Sequence, residues 1–244
     1  MSQIDPVSMN KIAEKRPVIL FDNAGIGRST GQVPTSYSGW AGYCAELIMQ
    51  LGFKQVDIVA FFDGWMRSSD AGFELPNFGI RMAHDRESQE AALLELCRHS
   101  SETSRAAERA TFRRMLEARD DWSDLIDTDG TRRQIQAFAK FMSPRCSSEG
   151  SYQRFHELRV PEQSGSHDYV LEKQTCQAMV RQICNTAVSV YEFPDAGHAP
   201  HWQYPEEFAD LVDCFLCAED TLKVPEMPVN WVRWINGTDV ASKI

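Results

Sequence analysis

Arg16-Pro17-Val18-Ile19-Leu20-Phe21-Asp22-Asn23-Ala24-Gly25-Ile26-Gly27-Arg28-Ser29 is the stretch on which the fold turns. It is a short apolar run that stops at an aspartate and a glycine-rich turn, the pattern of a parallel strand buried on both faces and leaving the sheet. A second run of this kind is Gln55-Val56-Asp57-Ile58-Val59-Ala60-Phe61. Between the two, Tyr37 to Leu51 places Tyr43, Leu47, Ile48 and Leu51 at helical spacing and stops at Gly52. The order predicts a right-handed βαβ unit and an α/β protein.

Further along, 87–142 is rich in Ala, Leu, Glu and Arg and reads as helices, a candidate cap. Val160-Pro161-Glu162-Gln163-Ser164 is a short polar strand, and a helical stretch near Val170 to Cys184 follows it. A third apolar strand, Ala187 to Phe193, precedes Pro194-Asp195-Ala196-Gly197-His198. Pro205 to Cys217 is the last helix, opened by its proline. Residues 1–223 thus read as one domain, and the tail 224–244 as irregular.

The chain of 244 residues is 43% hydrophobic, enough to bury one core. Its net charge of -10 argues against nucleic acid or an anionic membrane as partner, because both require an excess of Lys and Arg. The stretch from Met1 to Arg16 scatters charges and lacks the apolar core of a signal peptide, and no run suits membrane insertion. The seven cysteines, Cys44, Cys97, Cys146, Cys176, Cys184, Cys214 and Cys217, show no paired metal spacing and read as reduced structural thiols. No metal or other cofactor is expected.

The G-x-G of Gly25 and Gly27 invites a dinucleotide reading, but Thr30 stands at the third glycine position and Pro34 interrupts the stretch before any helix. A strand followed by D-x-x-G-x-G-x-S instead resembles the α/β-hydrolase superfamily. That resemblance implies a mostly parallel sheet flanked by helices, with a nucleophile on a tight strand-to-helix elbow between small residues. The matching stretch is Ala60-Phe61-Phe62-Asp63-Gly64, so Phe62 occupies the nucleophile position and offers no lone pair for attack. Asp63, one residue later, is the alternative nucleophile of an epoxide-hydrolase-like reaction.

The histidine end matches the superfamily better. D-A-G-H after a strand, with Gln203-Tyr204-Pro205-Glu206-Glu207-Phe208 opening a helix, implies His198 as the general base and His201 as a neighbour on its loop. Gly165-Ser166-His167-Asp168 resembles the turn that carries the acid of the triad, thirty residues before His198. The superfamily's first strand and H-G loop have no counterpart in Met1 to Arg16, and Arg67 to Gly72 breaks the helix and strand expected after the elbow. The expectation is therefore an N-terminally truncated hydrolase.

Ser242-Lys243-Ile244 is similar to the S-K-L peroxisomal address, which implies a peroxisomal import receptor as partner, with the cytoplasm as the alternative location. With this ending, the chain resembles the peroxisomal hydrolases of Alternaria host-selective (epoxy-decatrienoic acid) toxin biosynthesis, as a divergent or truncated copy. The implied ligand is a small acyl ester, thioester or lactone of a polyketide or fatty-acid-like intermediate. A catalytically inactive relative that binds such an acyl ligand is the competing reading.

Overall fold

A computed structural model describes residues 4–59, 87, 91, 101–118, 126–143, 145, 162–165, 189–217, 232–235 and 238–241. Their elements are α1 (Pro6–Ala13), α2 (Tyr37–Gln50), α3 (Glu102–Glu117), α4 (Thr128–Met142), β1 (Glu162–Gly165), β2 (Ser189–Phe193), α5 (Pro200–Gln203), α6 (Pro205–Cys217), β3 (Val232–Ile235) and β4 (Thr238–Ala241). The strands form one sheet in the order β1-β2-β3-β4.

β1 and β2 are parallel, with Gly165 opposite Phe193 at their C-terminal ends. The polar sequence of β1 suits its place at one edge of this four-stranded order, where one side of the strand has no partner among the described residues. β3 pairs antiparallel with β2, and β4 antiparallel with β3. The tail read as irregular therefore carries a hairpin, a correction whose sequence cue is Asn236-Gly237. Ile235 pairs with Thr238, so two residues connect the strands, and Asn-Gly is the pair such connections favour.

The helices begin where side-chain caps satisfy their first amides. Asp5 caps α1 by accepting from Val7 N at 3.0 Å, with Pro6 in the first turn. Ser36 caps α2 through Gly39 N at 3.2 Å, and Asp127 caps α4 through Gly130 N at 2.6 Å. α2 ends at Gln50, and Gly52 follows with φ +75°, the left-handed geometry that its glycine permits.

α1 packs against α6 through a small core of Ile12, Ala209 and Val212, with Met9, Val18, Phe208 and Leu216 around it. Lys11 Nζ reaches Asp210 Oδ2 at 2.8 Å, and both Lys15 and Arg16 pair with Asp213. Phe193, Ala196 and Leu211 form a second core where β2 meets α6. The histidine loop thus sits on a packed foundation.

The first two predicted strands are corrected. Pro17 to Phe21 and Gln55 to Val59 run as irregular chain, so the expected βαβ unit is absent from these residues although its helix α2 is present. Ile19, Leu20 and Phe21 are 48%, 39% and 40% exposed, and Ile58 is 67% exposed. An apolar run becomes a strand only when neighbours supply backbone partners, and the described part of neither run has them. Val18 turns inward, onto the α1–α6 core. No residue of α2 is buried, and Tyr43 and Leu51 of its predicted face are each 48% exposed.

No described helix is long and apolar enough to cross a membrane. Among the described cysteines, Cys44 is a free thiol. The helical stretch predicted near Val170 to Cys184 lies outside the described residues.

Candidate functional site

The glycine-rich turn is closed on itself rather than open to a ligand. Gly25 N donates to Thr30 O at 3.2 Å, and Ser29 Oγ donates to Asp22 O at 2.6 Å. A Cβ on Gly25 would stand 2.5 Å from Val33 N, and one on Gly27 would stand 2.7 Å from Asp22 Oδ2. Both glycines have positive φ, 73° and 58°, so a side chain at either is strained, and at Gly25 it would also meet backbone. The next helix, α2, starts only at Tyr37, and no helix N-terminus follows the glycines directly as a pyrophosphate site needs. Arg133 Nε on α4 donates to Val33 O at 2.5 Å, and Trp40 Nε1 donates to Pro34 O at 2.9 Å, which fixes the end of the turn.

His198 lies at the other end of the chain, on the loop leaving the C-terminal end of β2. It is buried, at 3% exposure, in a continuous buried stretch from Ala196 to Pro200. Close packing at such a position restricts the rotation of the imidazole. The loop around it is held at three points. Tyr204 Oη donates to Pro194 O at 2.7 Å, Ser101 Oγ donates to Asp195 Oδ2 at 2.6 Å, and Thr111 Oγ1 donates to Trp202 O at 2.6 Å. Asp195 has φ +54°, a left-handed conformation that aspartate tolerates better than most residues.

Two titrating groups frame the loop. His201 lies on α5 with its ring near Trp202 and Phe208, at centroid distances of 6.1 Å and 5.4 Å. Burial lowers its pKa to about 3, His198 acts in the same direction, and Asp5 opposes them. His201 is therefore neutral at physiological pH and acts as an aromatic packing group rather than a cation. Burial raises the Tyr204 phenol, with Asp195 and Glu207 adding to the effect, so its hydroxyl stays protonated to donate to Pro194.

Structural comparison decides the architecture. The chain superimposes on an α/β-hydrolase fold protein from Chitinophaga pinensis with a TM-score of 0.70 and 22% identity, over 89% of this chain and 85% of that one. The chain has the α/β-hydrolase fold. A thermophilic esterase from Thermogutta terrifontis matches with a TM-score of 0.59 and 16% identity, over 87% of this chain and 84% of that one. An esterase from Exiguobacterium antarcticum matches with a TM-score of 0.60 and 15% identity, over 87% and 86%. No family model and no curated protein matches the sequence.

In an open α/β sheet, ligands bind beyond the carboxyl ends of the parallel strands, which is the side of the α/β-hydrolase fold where His198 lies. Gly165 and Phe193 end their parallel strands together at this same end of the sheet. Asp168, Phe62 and Asp63 lie outside the described residues, as do Ser242, Lys243 and Ile244. No described group of three His, Cys, Asp or Glu side chains could hold a metal ion.

Sequence reasoning missed Asp5, Ser101 and Thr111. Asp5 is fully buried, with Thr111 Oγ1 3.0 Å from its Oδ2, accepting from Arg114 Nε at 3.1 Å and paired with Arg114 Nη2. Asp5-Pro6 is a legible helix start, whereas the meeting of residues 5, 111 and 202 has no local signal.

Proposed function

We propose that this chain carries an acyl-ester site of the hydrolase type, with His198 as general base and Asp168 orienting its imidazole. The observation that carries this reading is the buried His198, clamped beyond the C-terminal end of β2 in an α/β-hydrolase fold. The ligand class is an ester, thioester or lactone of a polyketide or fatty-acid-like intermediate of fungal secondary metabolism. This class comes from the resemblance to the toxin-pathway hydrolases.

Phe62 at the nucleophile position closes the acyl-enzyme route, because a phenyl ring supplies no attacking lone pair. The site then serves as a binder of acyl ligands, and any hydrolysis would have to use a water activated by His198. A second reading rests on Asp63 beside Phe62: a carboxylate there would attack an epoxide, as an elbow aspartate does in epoxide hydrolases.

The test is a panel of a chromogenic short-chain ester, an acyl-CoA thioester and an epoxide, with binding of each ligand measured beside turnover. Binding of the ester or thioester that His198→Ala weakens supports the acyl site. Absence of binding for both rejects it. Epoxide turnover abolished by Asp63→Ala selects the second reading.

A further inference from the structure

The polar side chains of α3 converge on the histidine loop from one side, and this convergence has no role in the chemistry described so far. Ser101 caps the helix by accepting from Ser104 N at 3.0 Å, and the same hydroxyl donates to Asp195 Oδ2 at 2.6 Å. Ten residues later, about 15 Å along the helix axis, Thr111 Oγ1 donates to Trp202 O at 2.6 Å. The two contacts therefore bracket His198, one on the residue three before it and the other on the residue four after it.

The electrostatics of the second contact make it a directed one. A threonine hydroxyl has a single proton, yet Thr111 Oγ1 lies near two acceptors, Trp202 O at 2.6 Å and Asp5 Oδ2 at 3.0 Å. Arg114 resolves the competition. Its guanidinium pairs with Asp5 through Nε and Nη2, Val7 N adds a further donor to that carboxylate, and Asp5 needs no proton from Thr111. Arg114 Nη2 also donates to Thr111 Oγ1 at 2.6 Å, which polarises the hydroxyl toward the Trp202 carbonyl. Asp5, in turn, neutralises the arginine, whose side chain is only 31% exposed.

We propose that α3 is the positioning element of the histidine loop, with Ser101 holding the Asp195 side chain before His198 and the Asp5–Arg114–Thr111 relay holding the Trp202 carbonyl after it. This inference rests on reading His198 as the base of the site, and Ser101, Thr111, Arg114 and Asp5 are positioning residues that touch no ligand. Every member of the relay is buried or half-buried, so solvent does not compete strongly for its hydrogen bonds.

The test uses the full chain labelled with 15N and long-range imidazole spectra of His198 and His201, with a thermal melt recorded for each variant. Thr111→Val keeps the shape and removes the hydroxyl, whereas Thr111→Ser keeps the hydroxyl. The expected result is that Thr111→Val and Ser101→Ala each shift the His198 ring signals or split them into more than one set, and that Thr111→Ser retains the unmodified pattern. His198 signals unchanged in Thr111→Val, even with a lowered melting temperature, would overturn the proposal and leave the relay a fold-stabilising cluster. Asp5→Asn provides a second isosteric probe of the relay. Loss of the folded state in both Thr111→Val and Asp5→Asn would also overturn it, by making the cluster a determinant of folding alone. These spectra require no turnover, so failure here is distinguishable from failure of the ligand panel.

Discussion

Gly165 stands opposite Phe193 at the ends of two parallel strands, and the chain leaves both strands on the same side of the sheet. Asp168 follows the first by three residues and His198 follows the second by five. Two loops this short, starting from paired residues of adjacent strands about 4.8 Å apart, can bring a carboxylate to an imidazole. We expect Asp168→Asn to alter the tautomer signature of His198 in long-range 15N spectra while leaving that of His201 in place. An unchanged His198 signature would dissociate Asp168 from the site.

His201 imposes a pH dependence on stability. Its folded pKa of about 3 lies below the ordinary 6.5, so between these values the unfolded chain binds the proton and the folded chain does not. Stability contributed by the neutral ring is thus complete above pH 6.5 and declines as the pH falls toward 3. At pH 5 the loss is at most about 2 kcal/mol, from 1.36 kcal/mol per unit. Denaturant midpoints measured from pH 7 down to pH 4.5 should fall less steeply in His201→Gln than in the unmodified chain. Parallel curves would show that other groups set the acid sensitivity.

The helices were legible where local chemistry decides them, and the sheet only in part: the stretches read as strands at Val160 to Ser164 and Ala187 to Phe193 carry the parallel pair β1 and β2. Tyr37 to Leu51 and Pro205 to Cys217 were marked by periodicity, caps and a terminating glycine or opening proline, and both helices form there. Pro17 to Phe21 and Gln55 to Val59 have the composition of buried strands, but composition does not say whether partner strands arrive. The loop carrying His198 was readable because strand, D-A-G-H and helix follow one another in the chain. Its supports were not: Thr111 and Trp202 are 91 residues apart, and the burial of Asp5 depends on Arg114 across another helix. Asn236-Gly237 between the two strands is a hairpin cue in a tail whose composition otherwise reads as irregular.

That hairpin supplies the third prediction. β3 covers the side of β2 that faces away from β1, so it stabilises the strand leading into the histidine loop. A two-residue connection between Ile235 and Thr238 favours turns with positive φ, which a β-branched residue resists. Gly237→Val is expected to cost about 1 kcal/mol or more, lowering the melting temperature by roughly 2–4 °C. Gly237→Asn should cost less, because asparagine tolerates that region. Equal melting temperatures for the three proteins would indicate that the connection imposes no such requirement.

The elbow governs the last prediction. Removing the nucleophile of a hydrolase triad typically lowers turnover on the order of a millionfold, and the residual rate comes from the oxyanion hole and from binding. On the proposed reading of 60–64 as the elbow, Phe62 stands at the nucleophile position and supplies no attacking lone pair. The unmodified chain should therefore hydrolyse a chromogenic ester or an acyl-CoA thioester no faster than background. Phe62→Ser should restore at most a trace, since a lone hydroxyl supplies little of the rate of a triad unless the base and the oxyanion donors are already arranged around it. Robust turnover by the unmodified chain, lost in His198→Ala and kept in Asp63→Ala, would overturn this expectation and establish direct activation of water by His198. Turnover lost in Asp63→Ala would instead make the aspartate the nucleophile, and a covalent alkyl-aspartate trapped with an epoxide and found by mass spectrometry would fix its position in the chain.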